Sequence, residues 1–149
     1  NGYLVGPERP VPLTTLTGPN LYGARLDAII NFPLGIQKEF TQWRTGSTTV
    51  NNRAVSVAQG SKPGSGTVNF YFDKETGYLV RTVRWNDSAV GPVATETDYS
   101  DYRDVSGVKI PFRMRIRWTG GNSTIVLTEA RAGAPDASKF ARPAPGKQR

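Results

Sequence analysis

Between Val105 and Trp118 apolar and polar side chains alternate almost without fault. Val108, Ile110, Phe112, Met114, Ile116 and Trp118 fall on one side of an extended strand; Lys109, Pro111, Arg113, Arg115 and Arg117 fall on the other, since successive strand residues point to opposite faces. The period of two recurs in "TVNFYF", which puts Val68, Phe70 and Phe72 in phase. From Phe40 onward such stretches follow one another at short intervals. "FTQWRT" precedes a turn at "GST", and an Asn51-Asn52 turn precedes "RAVSVA". "SKPGSG" is a loop before "TVNFYF", and "DKETG" closes a hairpin in which Gly77 supplies a positive φ. "YLVRTVRW" returns, "NDSAVGP" turns, "VATETDYSDYR" runs out again, and "DVSG" turns into the strand first described. After a tight turn at "TGGN", "STIVLTEARA" is the last long strand, and "GAPDASKFARPAPGKQR" is coil that pins Phe140 against the body.

Ahead of Phe40 the pattern changes. "GYLV" at 2–5 reads as a short strand ended by the proline-rich "GPERPVP". Leu21, Ala24, Ala28 and Ile29 recur at helical spacing, with Asn20 placed to cap the start. Pro33 and Gly35 interrupt this run, which predicts one helix at 20–31 and a looser segment to 38. The fold class is therefore mainly β: a curved antiparallel sheet of hairpin-linked strands, wide enough to curl, with one covering helix. Residues 1–140 are expected to form a single β-rich domain and 141–149 a flexible C-terminal tail.

Composition narrows what such a sheet can do. The 149 residues suffice for one domain, and the 16 Gly and 11 Pro suit a turn-rich β protein. With neither His nor Cys, there are no imidazole bases, no thiol nucleophiles, no disulfides, and none of the usual zinc, copper or haem ligands. No apolar run reaches the roughly 18–20 residues that span a bilayer as a helix. The chain opens on Asn1 without a signal peptide, which points to a mature form or a portion of something longer. A net charge of +7 would suit an anionic membrane surface or a nucleic acid, but the cations do not form the block of a basic arm.

Without His or Cys, acid–base chemistry would fall to carboxylates. Glu96 and Asp98 share a strand face near Asp101 and Asp104; such pairs serve glycoside hydrolysis or bind calcium. The simpler reading pairs Glu96 and Asp98 with Arg113, Arg115 or Arg117 across neighbouring strands. No Ser-x-x-Lys or Gly-x-Ser-x-Gly arrangement occurs, and "GSGT" lacks the lysine and the helix of a phosphate loop. Neither an enzyme nor a cofactor is expected. Arg81, Arg84, Arg113, Arg115 and Arg117, with Tyr71, Tyr78, Tyr99 and Tyr102 nearby, resemble a single-strand nucleic-acid platform in composition alone. On the central strand aromatics and cations lie on opposite faces, so no nucleic acid is expected, while lipid headgroups at a membrane surface would need no stacking. The candidate ligand-binding face comprises Phe70, Phe72, Ile110, Phe112, Met114, Ile116, Trp118, Ile125 and Leu127. Period and composition do not separate a filled core, the default for such a face, from the wall of a ligand pocket.

The order of motifs resembles that of outer-membrane lipoprotein-sorting proteins of the LolA/LolB kind. "YFDKETGYLVRTVRW" is similar to their Asp-x-x-Thr-Gly-Leu hairpin through Asp73, Thr76 and Gly77. "TDYSDYRDVSGVKIPFRMRI" resembles the following segment through Asp101, Tyr102, Arg103, Gly107 and Pro111. "TIVLTEARAGAPDASKFARPAP" is similar to their closing strand and coil through Asp136, Phe140 and Pro143. The likeness spans about 66–145 and is weaker from Gly2 to Gly60, as for a partial or C-terminal portion of such a domain. It implies an incomplete, half-open β-barrel with helices across its mouth. It also implies a cavity for acyl chains, no cofactor and no catalysis, lipid or acylated protein as partner, and a periplasmic or outer-membrane setting in an exported bacterial protein. The family's functional residues lie mostly outside the matched motifs, and none is carried over to this sequence.

Overall fold

The strand-and-turn succession after Phe40 folds as a seven-stranded antiparallel meander. This is seen in a computed structural model that describes residues 2–5, 13–31, 35–63, 65–88, 91–134, 136, 138, 141 and 142. The strands are β3 (Gln42–Val50), β4 (Arg53–Lys62), β5 (Ser65–Asp73), β6 (Leu79–Ser88), β7 (Gly91–Val105), β8 (Val108–Trp118) and β9 (Gly121–Val126). Their order in the sheet is their order in the chain. Among the described residues β3 and β9 are its two edges and do not pair with each other, so the sheet is not a closed barrel.

Local chemistry sets the hairpins. Asn51 and Asn52 both take left-handed φ, 48° and 63°, between the paired Val50 and Arg53. Ser106 and Gly107 do the same at 54° and 84° between Val105 and Val108, as two-residue turns matched to strand twist require. The β5–β6 turn is built on Asp73, whose buried carboxylate accepts the amides of Glu75 (2.9 Å) and Thr76 (2.8 Å) and the Thr76 hydroxyl (3.1 Å). Gly77 adopts the predicted positive φ of 73°.

Several strand boundaries depart from expectation. "GST" is not a turn: β3 runs through it, with Gly46, Ser47 and Thr48 paired to Val57, Ser56 and Val55. The last strand is short, because β9 ends at Val126 opposite Arg113 and only the Leu127 amide still reaches β8, at the Phe112 carbonyl (2.8 Å). Strands β6 and β7 extend into "NDSAVGP", leaving the turn to positions 89–90, outside the described residues. Pro111 lies on an interior strand, but beyond the end of β9 and beside an irregular spot where Asp101 takes a φ of 55°.

The chain divides into two compact units, Asn1–Gln37 with Gly133–Arg149, and Lys38–Ala132. In the first, β1 (Gly2–Val5) pairs antiparallel with β2 (Leu13–Leu16), and α1 covers Gly18–Asn31. The helix starts two residues before the expected one. Thr17 accepts its first i→i−4 bond from Leu21 (3.3 Å), which puts Asn20 inside it rather than at its cap. Its buried stripe is Gly23, Leu26 and Ile30, while Ala24 and Ala28 are exposed; alanine has little area to hide, so the larger side chains set the rotation. A second helix, α2 (Ile36–Glu39), is a single turn within the segment read as looser. No helix among the described residues is long and apolar enough to cross a membrane. Phe140 and Pro143 lie outside the described residues.

Candidate functional site

The pairing register decides which side chains share a face. Opposed residues of an antiparallel pair point the same way, so one cross-strand row runs Thr45, Ala58, Phe70, Thr82, Thr97, Ile116 and Ser123. A neighbouring row carries Tyr99, Met114 and Ile125, and Phe72 lies on the same side of β5. Leu127 is in register with Phe112 beyond the end of β9. The nine apolar residues picked from the alternation therefore belong to one face of one sheet.

They do not form one continuous surface. Phe70 and Phe72 stand three strand spacings, roughly 14 Å, from β8, and Thr82, Arg84, Thr95, Thr97 and Tyr99 occupy the strands between. Thr82 and Tyr99 are buried there, their hydroxyls 3.3 Å apart in a hydrogen bond. Burial differs as well. Phe70 and Phe112 are 4% and 5% exposed, Ile110, Met114, Ile116 and Leu127 are half-buried, and Trp118 and Ile125 are 45% and 42% exposed. Phe72 is also exposed.

Each buried aromatic has its own closure. Phe40, which precedes β3, packs edge-on to Trp43 (5.3 Å between centroids) and Phe70 (6.0 Å). It sits on Gly60 so closely that a Cβ there would come within 2.6 Å of the ring. Phe112 lies under the Arg103 guanidinium, 4.5 Å from ring centroid to Cζ. Asp101 holds that guanidinium with bonds from Nε (3.1 Å) and Nη2 (2.6 Å). The same bonds hold the Asp101 carboxyl below the usual carboxylate range. Arg103 and Phe112 also line a broadly open groove of about 590 Å³ between the β7–β8 turn and the segment 128–132, flanked by Asp104, Glu129 and Arg131.

The opposite face of the sheet carries a small core of its own, Val50, Val55 and Val83, and a charge network. Asp98 takes Arg81 Nε on one oxygen (2.6 Å) and Arg117 Nη2 on the other (2.7 Å); Glu96 pairs with Arg81 (3.4 Å) and with Arg117. Of the three arginines named as alternative partners for these acids, Arg117 is the one that meets them. Arg113 and Arg115 form no ion pair among the described residues, and Arg81, from β6, takes the place they were given. The pairing of β6 with β7 puts Arg81 directly opposite Asp98. Both acids are held by two guanidiniums each, which is the kind of cross-strand pairing the simpler reading expects. No cluster of three or more acidic side chains among the described residues is placed to hold a metal ion. Tyr102 ties the Asp73 hairpin to β7: its hydroxyl donates to the Leu79 carbonyl (2.6 Å) and its ring stacks on Tyr78 (4.6 Å). Burial pushes its phenol well above the usual value.

No family model matches the chain, and no curated protein or solved structure matches it.

Proposed function

We propose that this chain is a non-enzymatic binding or carrier domain for lipid or lipid-modified protein, working in the periplasm or at the outer membrane of a bacterium. The observation that carries the reading is the shared face of Phe70, Phe72, Ile110, Phe112, Met114, Ile116, Trp118, Ile125 and Leu127, with Phe72, Trp118 and Ile125 left exposed on it. In this reading the three exposed side chains, which stand apart on that face, are where an apolar partner makes contact. In this reading the open sheet curls into a half-open barrel as in the lipoprotein-sorting proteins, whose hairpin motif resembles the Asp73–Gly77 turn. The net charge of +7 favours approach to anionic headgroups.

A second reading has its own support. Phe70 and Phe112 are nearly inaccessible, which suits a structural or interaction module of a larger envelope protein with a filled interior. Uptake of an apolar fluorescent probe, together with native mass spectrometry of the purified protein, separates the two. The carrier reading expects bound lipid or probe, and it expects Ile116→Asp, at a half-buried position, to abolish uptake while the far-ultraviolet dichroism stays folded. A protein that holds neither lipid nor probe sinks the carrier reading and leaves the module.

A further inference from the structure

The outer edge of β9 brings together three features, of which the carrier reading uses only the apolar one. The first is its backbone. The Leu127 amide donates to the Phe112 carbonyl, and bonding residues alternate along an antiparallel strand. Residues 127, 125, 123 and 121 thus face β8, while Asn122, Thr124 and Val126 turn their amides and carbonyls outward. Nothing among the described residues pairs with that side. Edge strands are commonly guarded by lysine, proline or a bulge. "GNSTIV" has no lysine or proline, its register with β8 is unbroken from Arg113↔Val126 to Trp118↔Gly121, and it ends in three β-branched residues.

The second feature lies on the apolar face. The Trp118 ring leans across β9 over Gly121, where a Cβ would come within 3.2 Å of it. With the exposed Ile125, it offers apolar contact right at the edge. The third lies on the opposite face. Asp98 stands opposite Arg115, but its two oxygens are taken by Arg81 and Arg117. Arg115 is exposed, unpaired among the described residues, and separated from the edge only by Thr124. Arg113 is exposed in the same way beside Val126.

We propose that the outer edge of β9 takes an extended segment of another polypeptide in which apolar and acidic side chains alternate, adding an eighth strand to the sheet. The segment's backbone pairs with Asn122, Thr124 and Val126, its apolar side chains meet Trp118 and Ile125, and its acids meet Arg115 and Arg113. A strand there lies about 10 Å from β8, which an arginine leaning over a threonine spans to an acidic side chain. A second copy of this chain is the poorer occupant, since pairing two such edges sets two cationic rows on one surface with no acid between them.

The test uses the full chain and two labelled octapeptides, alternating valine with aspartate or valine with lysine, followed by fluorescence anisotropy at low salt. The aspartate peptide binds at least about tenfold more tightly than the lysine one. Thr124→Pro, at an outward-facing amide where the fold loses no ladder bond, removes that binding. Arg115→Glu reverses the preference, and decides alone should Thr124→Pro not fold. Thr124→Pro leaves uptake of the apolar probe unchanged, so this proposal and the carrier reading fail separately. Equal binding of the two peptides, full binding by Thr124→Pro, or a dimer in sedimentation that Thr124→Pro dissolves overturns it.

Discussion

The two ends of the sheet use one local device and come out differently. At one end Phe40 covers Gly60 of β4 and meets Trp43 and Phe70; at the other Trp118 covers Gly121 of β9. An aromatic ring laid over a strand glycine replaces the packing that the missing side chain would supply. At the first end Phe40 and Phe70 become nearly inaccessible, while at the second Trp118 stays 45% exposed. The difference lies in what joins the pair. Phe40 comes from outside the sheet and adds to the side chains of β3 and β5, whereas the glycine that Trp118 covers belongs to its own hairpin. Aromatic content alone does not make a core; convergence of separate segments does.

The sharpest way to break this contrast is truncation. Phe70→Ala is expected to destabilise by about 3–5 kcal/mol, read from the denaturation midpoint at unchanged slope. A loss near zero would mean that the aromatic cluster holds nothing together. A smaller effect comes from filling the glycines. Gly60→Ala drives a methyl into the Phe40 ring and costs about 1–3 kcal/mol. Gly121→Ala meets an exposed indole that can swing aside, so its cost should be the lesser of the two, and the reverse order would sink the comparison.

Acid gives a third, milder perturbation, at the hairpin that leads out of the buried end. The Thr76 amide holds the Asp73 carboxyl below its ordinary value, against the opposing effect of its own burial, with help from the Thr76 hydroxyl, the Glu75 amide and Arg53. Folding thus lowers this group's proton affinity. Its contribution is present at neutral pH, above the unfolded-state value, and is lost as pH falls through the folded-state value. Asp73→Asn keeps an acceptor for the turn but no charge. The gap in thermal midpoint between wild type and variant should therefore be widest at neutral pH and shrink below about pH 4; a constant gap would contradict the assignment. The smallest effect is expected at the open edge, where Ile125→Thr keeps β-branching and should change stability by about 0.5 kcal/mol or less in the same denaturation assay.

Much of this sheet is legible in the sequence alone. Alternation located the strands, and the turn chemistry at Asn51-Asn52, Gly77 and Ser106-Gly107 located the reversals, since these are properties of a residue and its near neighbours. The reading failed at "GST", where small polar residues suit a turn or an exposed edge strand equally well, and pairing with β4 made it a strand. It failed on α1, where alanines at helical spacing suggested a stripe that Leu26 and Ile30 occupy one step round. For the apolar face, periodicity placed all nine residues on one side but could not reveal the threonines of β6 and β7 between its two halves, because that row exists only across strands. The charge network was half visible: the role of Arg117 followed from β7 and β8, that of Arg81 from a register no single strand contains.

What the sequence determined by itself is therefore the order of strands, the hairpin turns, and the division of each strand into an apolar and a polar side, for these depend on backbone sterics and the period of two. Tertiary structure alone decided which apolar residues are hidden, which acids meet which arginines, and which edge stays open. Burial and ion pairing depend on segments far apart in the chain. Identical alternation in β5 and β8 thus leaves Phe70 inside and Trp118 in water.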